Sequence, residues 1–474
     1  MERLVPGFLL CAHLVPVLAP SRFRRSGSRV SGFCIHLAFH QQGKTWGQFF
    51  IRRFFRIYPP YLAALAFCVV VIYVNSGIDF HSVEVQRQIW AHLCLIHNVH
   101  PVTFEGINGS FWSLAVEAQL YLLYSALLAC IAKIGWRKTL VILAVCEGAI
   151  RAANGLTDTT WAESSNWGRV VWVLGASPLG FWFSWAVGAF VADAFLKSEP
   201  LPRWMRLPGL WLCLGVGSYF FKPLSTFLFP MFALATAATT ARLLARPEAQ
   251  TVEPGFVLRC LKNIGLWSYS LYLIHDPLLR NYWLAITWAT PEQSRPGPVL
   301  FFLMLLTLLL VIAFAILFYK VFELPAIALG KRIVSGSSGK RIIPPVALAA
   351  IFVLFALGSL FISARFSMRV AAANNNHAWA LATSPEPARR DGGLAVRFAE
   401  DACRQTRFEN PLMVGTLAAA YAEAGRFEEA ISAAEKACAL ASQSGDQGLV
   451  ERNQQLLGLY RKHQAYHEAL PPSH

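Results

Sequence analysis

The sequence predicts an all-α, polytopic membrane protein of about nine to eleven spans, followed by a small helical-repeat domain. Three observations carry this reading. Of the 474 residues, 55% are hydrophobic and only 15% charged, whereas soluble domains carry roughly 25% charged residues. The apolar residues gather in runs of about the length that crosses a bilayer, and mean hydropathy is +0.44. Lys and Arg collect in the connections between those runs, as cytoplasmic loops do. The net charge of +15 therefore reads as topology, and no nucleic-acid partner is expected. The ten cysteines are scattered, mostly inside apolar runs. With no C-x-x-C pair, neither a metal site nor a disulfide framework is expected.

The first forty residues are the least regular. GFLLCAHLVPVLAP (7–20) is apolar but short for a span and holds Pro16 and Pro20. SRFRRSGSR (21–29) is strongly basic. Each Arg at the centre of a span costs roughly 2.5–3.5 kcal/mol, so 21–29 is expected to be a loop. Only Arg3 is positive ahead of the apolar run and no small-x-small site follows, so a cleaved signal is not expected.

From residue 42 the pattern firms. Lys44, Arg52, Arg53 and Arg56 form a basic loop and helix start; Tyr58-Pro59-Pro60 leads into an apolar run ending at Val74. Residues 75–110 form a mixed connection holding His81, His92, His97 and His100. GINGSFWSLAVEAQLYLLY (106–124) opens on the turn formers Gly106, Asn108 and Gly109 and becomes apolar to about Ile134. Ser113 and Glu117 stand four apart inside it, on one helix face. Lys133, Arg137 and Lys138 form the next basic loop. Further runs lie near 139–153, 170–195, 207–220, 224–243, 260–279, 298–318 and 343–363. Basic loops at 44–56, 133–138, 197–206, 242–262 and 331–341 alternate with mixed or acidic ones at 75–110, 154–168 and 281–297. The basic set is assigned to the cytoplasm, which gives a cytoplasmic N-terminus and an extracytoplasmic C-terminus.

Composition changes after Phe366, dividing a membrane domain (1–366) from a helical domain (367–474). The stretch to Gly393 is polar and turn-rich, and amphipathic, Ala-rich segments follow. NPLMVGTLAAAYAEAGRFEEAISAAEKACAL (410–440) resembles a tetratricopeptide repeat: Leu417, Ala418, Tyr421, Ala430, Ala434 and Ala437 fit two packed helices. Ala395, Ala399 and Ala402 echo the last three. Such units bury their apolar faces by stacking, and both a partner-binding surface and a ligand-free helical cap remain open.

Chemistry is expected first at Glu117. A carboxylate at membrane depth is costly and faces a protein interior or a water-filled cavity. Desolvated, it can serve as a base or orient a histidine; the plainer reading is a bond to a neighbouring helix. Ser113 is placed to bond an acceptor or to cap local backbone. Arg53 and Arg56, three apart, share a helix face at the cytoplasmic rim, where a guanidinium pair suits phosphate or simply anchors the loop. Ser268, Tyr269, Ser270, Tyr272 and His275 make a polar stripe read as interhelical hydrogen bonding. Trp112, Tyr121 and Tyr124 read as belt or core aromatics, His97 and His100 as loop histidines, and Glu323 as a partner for Lys320 or an arginine of 52–56.

Four stretches carry a resemblance: SFWSLAVEAQLYLLY (110–124), FIRRFFRIYPPYLAAL (50–65), IGLWSYSLYLIHDPLL (264–279) and YKVFELPAIALGKR (319–332). In that order they resemble acyltransferase family 3, bacterial integral membrane proteins that move acyl groups, often acetyl, onto extracytoplasmic glycans. The resemblance reaches from about Val30 to Arg332. It implies a multi-pass protein of the bacterial inner membrane that uses a cytoplasmic acyl-CoA, with acetyl-CoA the expected donor and no bound cofactor. It also implies that Arg53 and Arg56 contact the coenzyme A part. Members begin with an Arg-Gly pair and an apolar helix ending in the His that is the candidate base, and then reach Ser-Gly-Phe. Ser31-Gly32-Phe33 is present here, but RRSGSR precedes it. Arg3 and His13 imitate the Arg and His one residue too close, about 100° of helix rotation. His13 is the base candidate the resemblance supplies, within an atypical N-terminus that a different upstream reading frame would complete. Two other classes stay open: a transporter or flippase, for which repeated halves are not visible, and an inactive member that recruits partners through its C-terminal repeats.

Overall fold

A computed structural model describes residues 31–41, 45–76, 80–104, 106–156, 166–244, 256–289, 297–336 and 346–468. His13, Arg3 and the 21–29 segment lie outside the described residues. The described elements are helices and turns, in keeping with the all-α expectation. Five helical stretches among them have the length and composition to cross a membrane: Trp46–Val74, Trp112–Gly155, Pro178–Lys197, Leu224–Leu244 and Phe301–Ser335. The chain is thus a multi-pass helical protein. It divides into two compact units, one of Met1–Leu65, Gln86–Asp276 and Val311–Ala349, the other of Ala66–Val85, Pro277–Leu310 and Ala350–His474.

In the first unit, α1 (Ser31–Gln41) packs against α6 (Trp182–Lys197), and the Ser-Gly-Phe sequence has a physical reason there. A Cβ on Gly32 would sit 2.0 Å from the Trp185 carbonyl oxygen, and one on Gly188 would sit 3.0 Å from the Phe33 nitrogen. Reciprocal small residues let two helix backbones touch, which is how helices associate in lipid. α2 (Trp46–Ser76) runs through Pro59 and Pro60 without a break. Neighbouring groups bridge the region: the hydroxyls of Tyr58 and Tyr61 donate to the carbonyls of Leu93 (2.8 Å) and His92 (2.9 Å). Those carbonyls end α3 (Val83–Leu93).

α4 (Trp112–Leu156) is two helical segments joined at Gly135, whose φ of 74° and ψ of 167° are not helical. A positive φ costs glycine little, so the break falls inside the basic 133–138 loop read from sequence. α5 spans Asn166–Ala176. The C-terminal half of α4 is held by a buried ion pair, Arg151 to Glu147 at 2.9 Å. Ser184 donates to the same carboxylate and Arg151 donates to the carbonyls of Gly180 and Thr226. Every charged atom there has a partner, the condition under which such a pair is tolerated in lipid. α7 (Pro208–Phe220) and α8 (Leu228–Leu244) pack together, and α9 (Phe256–Ala289) follows. α10 (Gly297–Phe318) leads through a single π turn at Tyr319–Glu323 into α11 (Leu324–Ser335).

The second unit holds α12 (Val346–Thr383) from Ala350 on, a continuous helix through residues 374–383, which the sequence reads as turn-rich. α13 (Gly392–Gln405), α14 (Pro411–Glu423), α15 (Phe427–Gln443) and α16 (Gln447–Tyr460) pack each on the next. Their starts are set locally: Asp391, Asn410 and Asp446 accept from backbone amides of the first turn, and Pro411 occupies the first helical position. The core is built from alanine, including Ala395, Ala399, Ala402, Ala430, Ala434 and Ala437, around Leu417 and Tyr460.

Candidate active site

Along the first half of α4, Ser113, Glu117, Tyr121 and Tyr124 recur at steps of four, four and three residues, so they form one stripe. Each meets a group from another element or the next member of the stripe. The Ser113 Oγ lies 2.5 Å from the Tyr272 hydroxyl on α9, and that hydroxyl also donates to the Ser110 carbonyl. The His275 Nε2 stands 3.5 Å from the Ser110 Oγ. One turn along α4, the Tyr121 hydroxyl donates to the Glu117 carboxylate. The Arg53 guanidinium carbon lies 5.7 Å from the Tyr121 ring centroid and 5.6 Å from that of Phe49, with its Nε making no hydrogen bond among the described residues. Tyr121 is within electrostatic range of Glu117, Arg53 and Arg56.

At the far end of the stripe, Tyr124 and His36 Nδ1 are 3.1 Å apart, and His36 Nε2 lies 3.3 Å from Asp193 Oδ1. Trp136 and Lys197 donate to Asp193 Oδ2 at 2.7 and 2.8 Å. A carboxylate only accepts, so His36 donates through Nε2 and accepts from Tyr124 at Nδ1. Lys197 and Trp136 belong to the basic connections assigned to the cytoplasm.

The predicted residues are therefore brought together in part. Glu117 and Arg53 contact Tyr121, Arg56 lies within electrostatic range of it, and Ser113 lies one turn from Glu117. His13 is outside the described residues. The polar stripe of α9 makes the expected interhelical bonds in part: Tyr269 donates to the Ile57 carbonyl at 2.9 Å and Ser270 to Glu323 at 2.7 Å, while Ser268 donates to the Gly265 carbonyl of its own helix. Glu323 is fully buried on the π turn, with Ser270 donating to its Oε2. A π turn shifts the helical register by one residue, which aims Glu323 inward. Tyr269 lies within electrostatic range of Glu323, Glu117 and Arg56.

His97 lies in the connection before α4, as read from sequence, and is fully buried against His92, rings parallel within 3° and centroids 4.1 Å apart. Burial, reinforced by His92, pushes the His97 imidazole down to about 3. Asn98 and Gln119 exchange amide hydrogen bonds at 3.1 and 2.8 Å and fasten this connection to α4. Sequence reasoning missed Asp193, His36 and Tyr124 as a cluster. The available signals were the four-four-three spacing and a histidine three residues after Ser-Gly-Phe. No group of three or more metal-ligating side chains occurs among the described residues.

Comparison with known proteins bears on this geometry. The model of the family described as "Acyltransferase domain" matches residues 30–320. The protein named Acyltransferase MdmB, from Streptomyces mycarofaciens, is 24% identical over 245 residues, covering 49% of this chain and 61% of that protein. The chain thus spans about three fifths of the length of the curated relative it matches. No solved structure matches.

Proposed function

The chain belongs to the Acyltransferase domain family, and from that premise we propose that it is a membrane O-acyltransferase. In this reading a cytoplasmic acyl-CoA, acetyl-CoA in the first instance, supplies an acyl group to a hydroxyl of an extracytoplasmic glycan. The protein sits in a bacterial inner membrane with its C-terminal helices outside. The observation that carries the reading is the stripe from Ser113 to Tyr124. Donor and acceptor on opposite sides of a bilayer need a polar route between them, and lipid-facing helices do not supply polar side chains.

Arg53 and Arg56 are the donor-side cations. A guanidinium keeps its charge when desolvated and grips phosphate through two N–H groups. Phe49 and Tyr121 flank Arg53 with their rings, which favours a guanidinium placed before a ligand arrives. The acceptor oxygen must lose a proton as it attacks the thioester carbonyl, whose oxygen gains charge. The Tyr121 and Tyr272 hydroxyls line that path, each with its proton held by a neighbouring oxygen. Glu117 orients Tyr121 and attracts positive charge, and Ser113 with Tyr272 binds the acceptor hydroxyl. The family resemblance offers His13 as a base candidate, one residue out of register with the family pattern. Membranes carrying the intact chain should transfer label from acetyl-CoA to glycan, and those carrying Glu117→Ala should not. Equal transfer in both would remove Glu117 from the mechanism.

The C-terminal helices support a second role, binding a protein partner. α12, α14 and α16 line a cleft of about 190 Å³. Asn375 and Asn453 are buried there, with Oδ1 of one and Nδ2 of the other lacking a hydrogen bond among the described residues. Beside them the Arg452 guanidinium lies 4.7 Å from the Trp379 ring centroid. An acceptor and a donor next to an arginine match a peptide unit carrying a carboxylate. Arg452→Ala should abolish binding of acidic peptides on an array; unchanged binding would leave the helices as a cap.

A further inference from the structure

We propose that His275, on α9, is the general base that takes the proton from the acceptor hydroxyl. The inference rests on the O-acyltransferase reading above and adds to it the residue that performs proton transfer. It begins with a tautomer. The Nδ1 of His275 lies 2.8 Å from the backbone carbonyl of Tyr272. A carbonyl oxygen cannot donate, so Nδ1 carries the hydrogen and the neutral ring keeps its lone pair on Nε2. That nitrogen faces the Ser110 hydroxyl at 3.5 Å. Free catalytic sites often hold such contacts long and tighten them when substrate binds. The ring is half-buried, so it is both positioned and reachable. Ser110, Ser113 and Tyr272 cluster beside it, where α4 leaves the connection assigned to the extracytoplasmic side.

The other histidines described in this unit fail on one count each. Both nitrogens of His36 are engaged, by Tyr124 and Asp193, and the ring is fully buried. His92 and His97 are sealed against one another. The Nδ1 of His100 accepts from the Val102 amide at 3.2 Å, which leaves its Nε2 protonated and without a lone pair. His40 stands beside His36, at the end of the unit assigned to the cytoplasm. His275 alone among them combines a lone pair facing only a long hydroxyl contact, access and a place on the acceptor side.

The step balances. The acceptor oxygen attacks the thioester carbonyl carbon, and its proton passes to Nε2. The tetrahedral intermediate collapses with loss of the thiolate, which takes up that proton, leaving an ester and a free thiol. No further reactant is needed.

Two substitutions separate catalysis from structure. His275→Asn puts an amide where Nδ1 stood, keeping the bond to the Tyr272 carbonyl while removing Nε2. His275→Ala opens a space that free imidazole can fill. Cells expressing the full chain would be assayed for transfer of label from acetyl-CoA into base-labile ester of the glycan fraction, with His13→Ala in parallel. We expect turnover to fall roughly 100-fold or more in His275→Asn, with the KM for acetyl-CoA and the membrane level unchanged. Added imidazole should restore part of the activity of His275→Ala. Wild-type turnover in His275→Asn, or loss confined to His13→Ala, would overturn the assignment while leaving the acyltransferase standing. Absence of label with the wild type would overturn the underlying reading and this one with it.

Discussion

Arg53 shows how one residue's surroundings decide its chemistry. Three residues of spacing put it beside Arg56, and that much is legible in sequence. Its aromatic bracket is not: Phe49 is a local neighbour, but Tyr121 comes from another helix. The bracket predicts that Lys is a poor substitute, since an ammonium loses the planar stacking and the two-pronged grip. Arg53→Lys should raise the KM for acetyl-CoA by about fivefold or more, for an effect on the order of 1 kcal/mol, and approach Arg53→Ala. Lys behaving as wild type would return Arg53 to loop anchoring. Ser113 teaches the same limit. Its spacing from Glu117 could be read from the chain, but its partner Tyr272 lies 159 residues away, and such pairings exist only once helices pack.

At the scale of elements, glycines mark where helices touch or turn. Gly32→Ala would drive a Cβ into the Trp185 carbonyl oxygen at 2.0 Å, and backbone cannot rotate away as a side chain does. It should lower thermal stability in detergent by roughly 1–3 kcal/mol. Gly148→Ala, inside a helix with nothing within 4 Å of the added carbon, should instead gain about 0.5–1 kcal/mol. Equal melting of the two variants would mean that the α1–α6 contact contributes nothing. The stacked pair His92 and His97 gives the connection before α4 its own pH response. Burial lowers the pKa of both imidazoles, so the folded form binds protons less readily than the unfolded one. Stability is then fully present above the unfolded value of about 6.5 and falls on acidification toward 3, by about 1.4 kcal/mol per pH unit for His97. Amide exchange across 90–104 should accelerate between pH 7 and 4.5 relative to its intrinsic rate. His97→Leu should remove that acceleration; an unchanged pH response would exclude the pair as its source.

For the whole molecule, the runs and the Gly135 break were legible because hydropathy and loop charge are summed over many residues. The start of α4 was marked by Gly106, Asn108 and Gly109, and the burial of Ala395, Ala430 and Ala437 follows from their spacing. The continuation of α12 to Thr383 was not legible. Three asparagines at 374–376 argue for a turn, but Asn375 is buried, and packing overrides weak propensity. Topology offers the broadest test. The basic stretch 331–341, which opens in the last turns of α11, carries Lys331, Arg332, Lys340 and Arg341, and an excess of that kind is retained in the cytoplasm. Among the described residues, a single apolar helix, Val346–Phe361, stands between this basic stretch and the Ala-rich helices. At 16 residues it is slightly short of the usual span, but α12 continues helical beyond it, so the hydrocarbon core can be crossed with little mismatch. One crossing inverts the side. Reporter fusions at Gly336 and Gly393 should therefore score in opposite compartments, Gly336 inside and Gly393 outside. Both on one side would make 346–361 a surface-lying helix, and the C-terminal cleft would then face cytoplasmic partners.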